Sequence, residues 1–155
     1  MKKINMFGFV SLLAIAVAAT ALAQERKLQR NQLPPAVEKT VAVESQGATI
    51  NGFATEMEKG RRLYEMELTV NGHSKDISMD KDGNIVEVEE EVAMDALPSA
   101  VQDALKAAAG KGTIGKIESL TKNGQLVAYE AHVKTGKKRS EIQVGPNGEK
   151  LSHPE

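Results

Sequence analysis

Apolar and polar residues alternate along two stretches of this chain with a period of two. Tyr64, Met66, Leu68 and Val70 fall on one side of a strand, opposed by Glu65, Glu67 and Thr69. Tyr129, Ala131 and Val133 repeat that side further on, opposed by Glu130, His132 and Lys134. Each strand region follows a segment of helical period. Leu97, Val101 and Leu105 recur at every fourth position, with Ala104 and Ala108 widening the stripe, and Leu33, Val37 and Val41 do the same earlier. Pro34 and Pro98 mark the helix starts, Gly47 and Gly110 the stops. Lys59-Gly60, Asn71-Gly72, Asp82-Gly83, Asn123-Gly124, Thr135-Gly136 and Asn147-Gly148 punctuate the strands with residues suited to tight hairpin turns.

These segments form a repeat. Leu33-Pro34, Thr49-Ile50 and Gly60 return 64 positions later as Leu97-Pro98, Thr113-Ile114 and Gly124. After one inserted residue the offset becomes 65, matching Tyr64-Glu65 to Tyr129-Glu130 and Gly83 to Gly148. The expected fold class is α+β: two tandem units, each one helix packed on a four-stranded antiparallel sheet, over residues 32–95 and 96–152. A unit of about 60 residues is marginal alone, so the copies are expected to share an interface or a continuous sheet.

The first 23 residues read differently. Lys2 and Lys3 precede an apolar run from Met6 to Ala19, and Ala21-Leu22-Ala23 supplies the small residues of a cleavage site. This predicts a cleavable export signal over residues 1–23, no stable membrane anchor after cleavage, and a periplasmic or secreted bacterial protein. With no cysteine in the chain, disulfides are impossible, and an exported domain must rely on its apolar core.

Residues 24–155 carry 18 basic and 21 acidic side chains and only three aromatic residues, Phe53, Tyr64 and Tyr129. A nucleic-acid partner is excluded by the missing basic face and stacking platforms. Charge divides unevenly: residues 24–96 hold nine basic and fifteen acidic side chains, residues 97–155 nine and six.

Little in the chain points to catalysis or a cofactor. No serine sits in a nucleophile elbow, and the strand-borne Glu65 and Glu130 read as a solvent row rather than an acid–base pair. His73, His132 and His153 lack zinc-site spacing. The segment Ser78 to Glu89 approaches a calcium-loop spacing, with Asp80, Asp82 and Glu89 as the ligands. The alternation of Ile77, Met79, Val86 and Val88 around it reads better as a hairpin, and no metal is expected.

The order Leu-Pro helix, Ile strand, Tyr-Glu, then a strand closed by Asp-Gly or Asn-Gly resembles the PepSY family. It resembles in particular the PepSY-like group related in shape to β-lactamase inhibitory protein. The matching residues are Leu33-Pro34, Ile50, Tyr64-Glu65 and Asp82-Gly83, then Leu97-Pro98, Ile114, Tyr129-Glu130 and Asn147-Gly148. The resemblance implies an exported, non-catalytic domain that binds an exported protein, a peptidase among the candidates. The β-lactamase inhibitory relative grips its enzyme with a concave sheet face, and this chain lacks that relative's disulfides and aromatic-rich surface. Sheet alternation makes Glu65, Glu67, Glu130, His132 and Lys134 the expected partner-binding residues. The alternative is a small-ligand or cation-binding envelope protein using the acidic cluster from Asp80 to Glu91.

Overall fold

A computed structural model describes residues 26–155. The expected export signal lies outside the described residues. The chain forms strand β1 (Arg26–Leu28), helix α1 (Pro35–Glu44), strands β2 (Thr49–Glu58), β3 (Arg61–Val70), β4 (His73–Met79) and β5 (Ile85–Glu91), helix α2 (Ser99–Ala109), and strands β6 (Thr113–Lys122), β7 (Gln125–Thr135) and β8 (Lys138–Val144). All eight strands join one antiparallel sheet in sequence order.

This corrects the expectation of two units, each a helix on its own four-stranded sheet. β5 pairs with β4 on one side and with β6 on the other, with Glu87 opposite Lys122 and Glu91 opposite Glu118. The outer backbone of β5 finds its hydrogen-bond partners in the second copy, so the sheet has no break at the join. The second copy also has three strands where the first has four. After Asn147-Gly148, residues 149–155 form no strand among the described residues. Their sequence, Glu149-Lys150-Leu151-Ser152-His153-Pro154-Glu155, has neither the alternation nor the β-branched residues of β5.

Both helices pack on the same sheet face. Val37 and Val41 of α1 meet Phe53, Met66, Leu68, Ile77 and Met79. Val101 and Leu105 of α2 meet Ile117, Ala131 and Val144. Tyr64 and Tyr129 lie partly buried against these two cores, as their alternation predicts. Val88 sits opposite Thr121 across the β5–β6 ladder, which puts the two cores on one side of the sheet. The hairpins between β2 and β3, β3 and β4, and β6 and β7 turn through positive φ at Lys59-Gly60, Asn71-Gly72 and Asn123-Gly124.

Candidate functional site

The face without helices carries the chemistry. Each strand there presents the residues between its core-facing ones, and the register sets acid against acid. Glu67 lies opposite Asp76, and Asp76 opposite Glu89. One row along, Glu91 lies opposite Glu118, and Glu118 opposite Glu130. Like charges directly opposite on neighbouring strands destabilise a sheet. Two such rows side by side oppose the stability of the fold.

The face is concave. Asp76 on β4 and Glu118 on β6 are separated by β5 and lie one row apart, which places their backbones roughly 12 Å apart at ordinary strand spacing. Yet carboxylate oxygens of Asp76, Glu89 and Glu118 all come within 4.8 Å of one another. A sheet curled toward this side, with the long side chains leaning inward, brings them together. Curling also explains why Ala54, Leu63, Leu120 and Ala128, which point to this side with no helix above them, are buried.

Glu118 is the centre, only 2% exposed. Its Oε2 lies 3.0 Å from His132 Nε2. Its Oε1 lies 2.7 Å from Lys116 Nζ, close in distance but poorly aligned as a hydrogen bond, so charge holds that oxygen. His132 also approaches Glu130 Oε1 at 4.0 Å and, through Nδ1, Glu141 Oε1 at 3.6 Å. Gln143 Nε2 donates to Glu130 Oε2 at 2.7 Å. Lys116, His132 and Gln143 thus partner Glu118, Glu130 and Glu141 and offset part of the repulsion on this face.

Burial first, and like charge after it, appear in the titration of the acids. Burial pushes the Glu89 carboxyl up to about 8, and the charges of Glu87, Glu118, Glu130 and Asp76 add to it. Asp76 is raised by burial too, with Lys116 opposing and Glu118 and Glu67 reinforcing. Burial raises Glu130 against the pull of the Gln143 hydrogen bond, with the charge of Glu141 adding to the rise. Burial would lower the Lys116 ammonium, but its contact with Glu118 and the charges of Glu118, Asp76 and Glu89 outweigh that and raise it. Beside this cluster, Glu56, Glu65, Asp76, Ser78, Glu87 and Glu89 line an acidic cleft of about 180 Å³.

All five partner-binding candidates fall on this face. Glu130 and His132 belong to the cluster, and Glu65 lines the cleft. Glu67 heads the row that runs through Asp76 to Glu89. Lys134 lies two residues beyond His132 on the same side of β7, opposite Arg139, and with His132 and Glu141 lines a depression of about 900 Å³. The calcium-loop set is not brought together. Asp80 caps its own turn, with Oδ1 accepting the N–H groups of Asp82 and Asn84 and Oδ2 the side chain of Asn84. Those hydrogen bonds, the Asn84 side chain's first, hold the Asp80 carboxyl below its ordinary range. Glu89 sits along β5 opposite Asp76, within the acidic rows.

Sequence reasoning passed over Asp76, Glu118 and Lys116. Glu87, Glu89 and Glu91 did carry a signal, alternating with Val86 and Val88. Glu118 carried none, because Leu120 on the same face breaks the in/out pattern of β6.

Comparison with solved structures shows the fold alone. A "putative" periplasmic protein from Bacteroides eggerthii is similar at 19% identity and a TM-score of 0.62, covering 76% of this chain and 84% of that one. A BLIP-like protein from Bacteroides fragilis is similar at 22% identity and a TM-score of 0.55, covering 75% of this chain and 81% of that one. No curated protein matches the chain. Among the described residues no helix is long and apolar enough to cross a membrane. The chain belongs to the PepSY-like family described as "Putative beta-lactamase-inhibitor-like, PepSY-like", whose pattern it matches twice, over residues 20–87 and 62–151.

Proposed function

We propose that this protein is an exported, non-catalytic binding module that grips another exported protein through its concave acidic face. The partner class is a peptidase or other hydrolase of the envelope or secreted space, whose activity the module modulates or inhibits. The observation that carries the reading is the pair of acid-against-acid rows on a curled face with no helix over it. A fold keeps such unfavourable pairs where they serve recognition. A partner bringing lysine or arginine side chains into the cleft relieves the repulsion among Asp76, Glu89 and Glu118. It also favours ionised Glu89, so association releases a proton and tightens as pH rises toward 8. Export is supported by the leader-like sequence of residues 1–23 and by similarity to a protein described as periplasmic. The test is affinity capture from a periplasmic extract, with mass spectrometry of what is retained and assay of any hydrolase recovered. Recovery of one exported hydrolase whose rate falls on adding the protein supports the proposal, and an empty capture by folded protein counts against it.

A second reading has its own observation. The ligand atoms of Glu118, Glu130 and His132, and those of Asp76, Glu89 and Glu118, gather within 4.8 Å in each set. A cation bound by either set takes the place of the Lys116 ammonium beside Glu118. Melting with and without millimolar calcium or micromolar zinc separates the readings. Binding to the native state alone raises the melting temperature by mass action, and no shift with either ion removes the cation.

A further inference from the structure

Strands β2, β3 and β4 of the first copy recur as β6, β7 and β8 in the second, and β5 has no counterpart beside β8 among the described residues. β4 (His73–Met79) and β8 (Lys138–Val144) match residue for residue at the 65-position offset. The turns that follow match as well. Asp80 N–H donates to Asn84 O at 2.9 Å, and Gly145 N–H donates to Glu149 O at 2.8 Å. From there the copies diverge. In the first, the chain continues as β5, and its ladder closes the outer edge of β4. In the second, residues 150–155 run past β8 with no ladder among the described residues, and the Glu155 N–H reaches only the Gln143 side chain, at 2.9 Å.

We propose that the outer edge of β8 is a strand-docking site for an extended acidic segment of another protein, one that alternates β-branched and acidic residues as β5 does. Three independent features fit this occupant. The first is backbone polarity. Ser74 N–H points toward β5, where it donates to Glu91 Oε2 at 2.9 Å, and alternate residues of an antiparallel strand share that direction. The equivalent outward donors of β8 are those of Arg139, Glu141 and Gln143. The second is an apolar seat. Ile85 and Val88 of β5 pack on the first core. In the second copy, a groove of about 490 Å³ lies in the corresponding position, lined by Ala104, Ala108, Ile142, Val144 and the tail residues Leu151 and Pro154.

The third feature is charge. In the first copy the start of β4 meets acid on β5, with Lys75 Nζ 3.9 Å from Glu90 and His73 Nδ1 3.7 Å from Glu91. The start of β8 is more basic, with Lys137, Lys138 and Arg139 all exposed. Those cations discourage casual pairing of edges and select an acidic strand. This surface is the backbone edge of β8, and it adjoins the acidic face, where the Glu141 and Gln143 side chains reach His132 and Glu130.

The probe is a fluorescein-labelled synthetic peptide with the protein's own Asn84–Val92 sequence, titrated by anisotropy and followed by amide NMR on the intact protein. Saturable binding is expected, with shifts confined to Arg139–Val144, Ala104 and Ala108. The same peptide with lysine at its four glutamate positions should bind at least about tenfold more weakly. Arg139→Pro removes one outward donor from an edge strand, where proline is tolerated, and should abolish binding. The same peptide N-methylated at alternate amides leaves the protein untouched and should also fail to bind. The proposal is overturned if both charge forms bind equally, if methylation changes nothing, or if the shifts fall on Glu118 and Glu130. It is equally overturned if sedimentation shows the edge already closed by a second copy of the chain.

Discussion

Replacing Glu89 with glutamine should stabilise the protein, and increasingly so as pH rises. The carboxyl goes from an ordinary 4.5 to about 8 on folding. At 1.36 kcal/mol per pKa unit, keeping it ionised opposes the native state by roughly 5 kcal/mol. Solvent and salt reach this open face and screen part of that, so about 2–3 kcal/mol is the expected effect. Because the folded pKa lies above the unfolded one, the native state holds its proton more tightly. The stability is therefore complete below about pH 4.5, declines as pH climbs toward 8, and is flat beyond. Glutamine is neutral throughout and imitates the protonated acid. Thermal melts at constant ionic strength should show variant and wild type together near pH 4.5 and separated by about 5–10 °C at pH 9. Added salt should narrow the gap. A separation that is the same at pH 5 and pH 9, or absent at both, would refute the burial and like-charge argument for this face.

Other substitutions test the same structure from different sides. Lys116→Met removes the ammonium beside the buried Glu118 and should cost about 2–4 kcal/mol by chemical denaturation, more than a typical surface lysine change. Leu105→Ala empties a fully buried position under α2 and should cost about 2–5 kcal/mol in the same assay. Gly83→Ala and Gly148→Ala place a Cβ 2.6 Å from Ala36 O and 2.5 Å from Ala100 O, at φ +80 and +84, and should each cost about 3 kcal/mol. Gly60→Ala, at φ +80 with open space around it, should cost only about 1 kcal/mol, which separates backbone strain from collision.

The sequence made local structure legible and left long-range structure obscure. Val37 with Val41, and Val101 with Leu105, announced both helices because a fourfold apolar repeat has one efficient use. Asn71-Gly72 and Asn123-Gly124 announced hairpins because positive φ is costly for most residues. The joining of β5 to β6 was hidden, since it depends on pairing two segments with all of α2 between them. The charge cluster was hidden for a related reason. Glu89 was read within a contiguous turn with Asp80 and Asp82, whereas the register carries it to Asp76 and the curl of the sheet to Glu118. Period-two reasoning assigns a residue to a face; it does not supply the curvature that decides which residues on that face touch.

The central claim is that the concave acidic face does the binding, and capture by matched variants tests it most directly. Three proteins would be compared on the same periplasmic extract: wild type, Glu65→Lys with Glu67→Lys on the concave face, and Lys39→Glu with Lys106→Glu on the helices. Each would first be shown folded by its melting curve. The account predicts one exported protein retained by wild type and by the helix variant, and lost from the face variant. Equal retention by all three, or loss from the helix variant alone, would contradict it.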